Sequence, residues 1–141
     1  MFNNLNDIFK NVYDLAYQRR IDHDKYALKE FSTTKRGLQE YENYQKSNNK
    51  KIVDKSESQL EKYMSSLDFE TIKIIQTIMY LGKDEEYNKN DTPQQIYTKE
   101  RSNFDHQGWN KDKNVEINQM VEKVPFDQYL LNGFKILNIR I

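Results

Sequence analysis

Asp68-Phe69-Glu70-Thr71-Ile72-Lys73-Ile74-Ile75-Gln76-Thr77-Ile78-Met79-Tyr80-Leu81-Gly82 is the stretch that decides the fold. Phe69, Ile72, Ile74, Ile75, Ile78, Met79, Tyr80 and Leu81 leave few polar positions, so a helix here must be covered on most of its sides. That makes it the central helix. Asp68 is placed as its N-cap, and Leu67 before the cap with Ile72 in the fourth helical position has the spacing of a hydrophobic staple. Gly82 is read as the C′ residue that must adopt a positive φ, and Lys83 complements the negative helix end.

Upstream, a short helix from Ser56 carries Leu60, Tyr63 and Met64 and ends near Ser66. The first helix is expected to start near Asn4, an N-cap with Asp7 in the positively polarised first turn. Leu5, Ile8, Val12, Leu15 and Ala16, widened by Phe9 and Tyr13, then repeat at helical spacing. The polar stretch from Gln18 to Asp24 is read as an interruption, after which Tyr26, Ala27, Leu28 and Phe31 resume a helix. Ser32-Thr33-Thr34 caps another, with Leu38, Tyr41 and Tyr44 on one face. Gly37 weakens that helix by about 1 kcal/mol relative to Ala. Lys46 to Lys51 has no apolar member and reads as a mobile loop.

Downstream, Thr92-Pro93-Gln94-Gln95 supplies a capping box with Pro at the first helical position, opening a helix through roughly Arg101. Phe104 to Asn114 is turn-like, yet Trp109 within it argues for a loop docked on the body. Val115, Ile117, Met120, Val121 and Val124 precede Pro125, which breaks or restarts the helix. Phe126, Tyr129, Leu130, Phe134 and Leu137 continue at helical spacing, and Ile136 to Ile141 alternate as a short strand would, leaving helix and strand equally open there.

Composition agrees with helices. Four Gly and two Pro are few for the turns of a β-sandwich or barrel. With 141 residues and no second composition regime, a single helical domain over residues 1–141 is expected, all-α, an irregular bundle of five to seven helices with a C-terminal strand as an option. Mean hydropathy is −1.02, but 10 Tyr, 7 Phe and 1 Trp offset the thin aliphatic supply.

Met79-Tyr80-Leu81-Gly82-Lys83-Asp84, followed by Val124-Pro125-Phe126-Asp127-Gln128-Tyr129-Leu130-Leu131-Asn132-Gly133-Phe134, resembles a bacterial family of small uncharacterised helical proteins. That family pairs a Trp-Leu-Gly-Arg-Gly type turn with a late Pro-x-x-x-x-Leu-x-x-Gly segment. Here Tyr80 stands for Trp, Lys83 for Arg and Asp84 for the second Gly. The likeness spans roughly residues 56 to 135 and implies a helical fold; no activity comes with it.

Function is less legible. Lys+Arg and Asp+Glu both total 22, so no global field draws nucleic acid or an anionic membrane. No apolar run has the length to span a bilayer, no basic-then-apolar leader follows Met1, and cysteine is absent, all of which points to a cytoplasmic location. Asp22-His23-Asp24, with His106 as its distant echo, is the most metal-like cluster and carries a metal-dependent enzyme as one alternative, although adjacent residues point apart and no His-Glu-x-x-His occurs. No nucleophile elbow, Walker loop or dinucleotide fingerprint is present, and no cofactor is expected. Arg19, Arg20, Lys50 and Lys51 are the candidate contacts for the other alternative, a nucleic-acid-binding helical protein. The favoured expectation is a non-enzymatic module that binds another protein, or itself as a homodimer, through surplus aromatics: Tyr41, Tyr44, Tyr87, Tyr97 and Trp109. By analogy it suits an accessory or inhibitor protein of a bacterium or phage with an AT-rich genome.

Overall fold

The computed structural model describes residues 1–141. A 3-10 turn, Asn3–Leu5, leads into seven α-helices: α1 Asn6–Tyr26, α2 Lys35–Gln45, α3 Asn48–Ser66, α4 Phe69–Asp84, α5 Pro93–Gln107, α6 Lys113–Val121 and α7 Phe126–Ile136. The all-α reading holds. No strand forms and no helix is long and apolar enough to cross a membrane.

α4 is the centre, as its periodicity requires. Ile72, Ile75, Ile78, Met79 and Leu81 are fully buried, α7 lies along one side, and α5 and α6 pack on others. Asp68 caps it, accepting from Thr71 N–H at 2.7 Å, and Leu67 and Ile72 are both in the core as a staple demands. α1 brings Phe9, Val12 and Ala16 against α3 and α7, with the Phe9 and Phe134 rings 5.3 Å apart. Thr92 and Gln95 form the complete capping box at the start of α5.

Several local expectations are corrected. Gly82 does not end α4: the helix continues to Asp84, and Glu85 takes the left-handed conformation at φ 55°. The glycine is needed for contact instead, because a Cβ there would strike the Tyr129 carbonyl of α7 and come within 2.6 Å of Gly133 N. Gln18 to Asp24 does not interrupt α1, since its polar side chains find partners along and across the helix. α1 stops at Tyr26 and no helix resumes over Ala27 to Phe31. Asn4 is not an N-cap; it lies in the 3-10 turn, and Leu5 precedes α1.

Of Lys46 to Lys51 only Lys46 and Ser47 form a connection; Asn48 to Lys51 are the first turn of α3, not a loop. Ser47 accepts from Lys50 N–H at 3.2 Å and caps α3, whose first turn is polar because it projects into solvent; the buried stripe starts at Val53 and runs through Ser56, Leu60 and Met64. α5 runs past Arg101 to Gln107, so Phe104 is helical and the connection is only 108–112. The C-terminal strand option fails for a specific reason: α7 closes in a Schellman motif, with Asn138 at φ 55°, Ile139 N–H bonded to Phe134 O at 2.8 Å and Asn138 N–H to Lys135 O at 3.1 Å. The apolar alternation of Ile136, Leu137 and Ile139 is that cap folding back onto the core.

Candidate interaction surface

α2 differs from every other α-helix. Its only buried residue is Gly37, and its main neighbour is α3. The helix forms because Thr34 caps it, accepting from Gly37 N–H at 3.1 Å, and because the Ser32 turn lies flat on Gly37, where a Cβ would meet Ser32 Oγ and backbone. This turn sets Phe31 edge-to-face on Tyr41 with centroids 5.3 Å apart. Leu38 is one helical turn from Tyr41 on the same side. Phe31 is 59% exposed, Leu38 49% and Tyr41 41%, so three large apolar side chains stand in solvent, two of them packed on each other. Isolated exposed apolar residues are ordinary; an ordered cluster on an otherwise unburied helix is the kind of surface that partners cover.

A second feature is a cleft of about 390 Å³ where α1 and α3 meet the α6–α7 junction, including Arg19, Arg20, His23, Glu57, Phe126 and Asp127 in its walls. Arg19 donates to Val121 O at 2.9 Å, placing its charge at the carbonyl end of α6, and burial lowers its pKa. Arg20 donates through Nε to both oxygens of the buried Asp127 at 3.0 Å, a bond that raises the guanidinium pKa. Both guanidinium groups therefore serve the fold.

The structure separates the other residues singled out from sequence. Tyr44 is half-buried beside the α2–α3 joint. Tyr87 packs on the core, and Tyr97 is buried with its hydroxyl accepting from Arg101 at 3.2 Å, so Tyr97 is not free surface. Trp109 docks as expected: Nε1 donates to Asp105 at 2.7 Å, Phe104 packs on it at 5.6 Å, and Lys73 and Arg101 flank its ring, each at 5.7 Å. Asp22 accepts from Gln18 at 3.0 Å, and His23 is exposed with only Asp24 near, at 4.0 Å. His106 lies exposed on α5, and no three His or carboxylate side chains are grouped to hold a metal ion. Lys50 pairs with Asp54 at 2.6 Å, while Lys51 is exposed on α3. Reading Leu38, Tyr41 and Tyr44 as one face located α2, but Phe31 was missed as a surface residue; the Ser32-Thr33-Thr34 cap directly after it was the available signal.

The docked tryptophan has a pH signature. Asp105 is held below its ordinary pKa first by Trp109 Nε1–H and then by Arg101; Glu70 is lowered by the bidentate Arg101 bonds at 2.8 and 3.0 Å. A depressed folded pKa means the unfolded chain binds more protons as acid is added, so this stability is present above the ordinary carboxylate range and lost as pH falls through the folded values. The melting temperature is expected to be level from about pH 7 to 5 and to fall below about pH 4. Glu70→Gln with Asp105→Asn should flatten that acid limb in thermal melts followed by circular dichroism; an unchanged limb would assign acid sensitivity elsewhere.

Comparison of the chain with family models, curated proteins and solved structures gives no match. The class that fold and surface define is a small all-α bundle bearing an exposed aromatic helical arm.

Proposed function

We propose that this chain is a non-enzymatic protein-binding module that engages a protein partner, either another protein or a second copy of itself, through the exposed face of α2. One observation carries the reading: α2 gives no side chain to the core, yet holds Phe31, Leu38 and Tyr41 ordered in solvent. Ordering a rotamer-rich surface costs free energy at the moment of binding, and a face with two rings already packed on each other has met part of that cost. Tyr and Phe are also residues that dominate interface energetics. The nucleic-acid alternative draws less support, because Arg19 and Arg20 are engaged by Val121 O and Asp127 and Lys50 by Asp54. A cytoplasmic setting, expected from the absence of cysteine, belongs to the same proposal.

A photo-crosslinking amino acid at Leu38, introduced in the cells that make the protein, should give discrete protein adducts, whereas the same group at exposed Lys111 on the far loop should not. Leu38→Glu with Tyr41→Glu should abolish binding but change unfolding free energy by less than about 0.5 kcal/mol, the range for surface positions. No adduct at Leu38, or a stability loss of core size, would refute the reading.

A further inference from the structure

We infer that the occupant of the α2 face is a second copy of this chain, its α2 lying antiparallel to the first across a twofold axis beside Leu38. The inference rests on α2 being a docking face and adds the identity of what docks. At 100° per residue, Lys35 and Glu42 lie on one flank of Leu38, three residues before it and four after it. Both are exposed, and neither has an ionic partner in its own chain. Arg36 and Glu40, on the opposite side of the helix, already pair with each other at 3.1 Å.

A single α2 cannot join Lys35 to Glu42, which stand two helical turns apart, about 10 Å along the axis. A twofold axis midway between them does it twice: Lys35 of each copy meets Glu42 of the other. Leu38 and Tyr41 from both copies then fill the centre, flanked by Phe31, with the two ion pairs at the rim. A parallel pairing would instead carry the Lys35–Glu42 flank of each copy to opposite sides of the seam, so neither ion pair could form. Antiparallel helix dipoles favour the same choice, and the twofold closes the assembly at two copies.

One short helix from each side covers less than the roughly 800 Å² per partner of a standard interface, so the dimer is weak, with dissociation in the range of about 10–100 μM. Sedimentation from about 5 to 500 μM should show the mass rising from 17.1 kDa toward its double. Lys35→Glu alone and Glu42→Lys alone each place two like-charge contacts in the interface and should weaken self-association about tenfold. Mixing the two variants restores both pairs and should recover the wild-type affinity as a heterodimer.

A wild-type mass of 17.1 kDa at every concentration overturns the self-pairing; the Leu38 crosslink to a different protein would then still uphold α2 as a docking face. A dimer indifferent to both charge reversals, or not rescued by mixing, overturns the antiparallel geometry.

Discussion

Gly133→Ala should lower the unfolding free energy by about 3–5 kcal/mol, among the largest effects of any single methyl group in this protein. The reason is the crossing of α4 and α7. A Cβ on Gly133 would strike the Ile78 carbonyl and come within 2.7 Å of Ile78 Cγ2. The reciprocal contact on α4 is the one that excludes a side chain at Gly82, where the obstacle is the Tyr129 carbonyl. In both cases the obstruction includes helix backbone, so no rotamer change relieves it and the two helices must move apart. That separation would loosen Ile78, Met79, Leu130 and Phe134 together, all fully buried. For a chain near 150 residues a loss of this size corresponds to roughly 10 °C or more in melting temperature. Urea unfolding of Gly133→Ala and Gly82→Ala is the direct measurement. Gly108→Ala is the contrast: nothing lies within 4 Å of the added carbon, but φ 92° with ψ 150° is backbone that favours glycine, so strain of about 1–3 kcal/mol is expected without any displacement of helices. Losses below about 1 kcal/mol at both helical glycines would mean that the close crossing is not a source of stability.

These two glycines also mark the boundary of what local sequence can reveal. Asp68, Thr92 and Gln95 were legible because a cap is settled by residues within one turn. Trp109 was legible because so large an apolar group in a polar stretch has to be docked. Gly82 carried two meanings that look alike in sequence, a helix end and a close approach, and only the position of α7 separates them. The polar start of α3 was misread for a related reason. Its buried stripe includes Ser56, which satisfies its hydroxyl on Val53 O at 3.1 Å and so enters the core without looking apolar. On the surface, Tyr41 was found by helical spacing, whereas the uncovered state of its whole face follows from what α2 does not touch. Partners of Arg19 and Arg20 lie more than a hundred positions away along the chain, beyond any local pattern.

Arg20→Ala should cost about 3 kcal/mol, far more than its position at the edge of a cleft suggests. Asp127 is the reason: its side chain is 2% exposed, and Arg20 Nε contacts both of its oxygens. Asp127 is the second residue of α7, where amide groups at the helix start favour a negative charge, but those groups alone replace little of the lost ionic bond. Removing the guanidinium leaves a buried carboxylate without its cation, a change that is costlier than the net worth of the pair. The partial exposure of Arg20, 26% at the side chain, sets the estimate at the lower end of the range for buried pairs, since water in the cleft can reach the abandoned charge. Asp127→Ala removes the buried charge itself and leaves an arginine that can turn to solvent or to Asp24, so it should cost less than Arg20→Ala. The double substitution should then be more stable than Arg20→Ala alone. A thermodynamic cycle of the two alanine variants measures this directly by urea unfolding. A loss under about 1 kcal/mol for Arg20→Ala, with additive behaviour in the double, would show an ordinary surface pair. The cleft would then hold a guanidinium free to meet a ligand, whereas coupling of several kcal/mol would fix Arg20 as the bond that ties α1 to the start of α7.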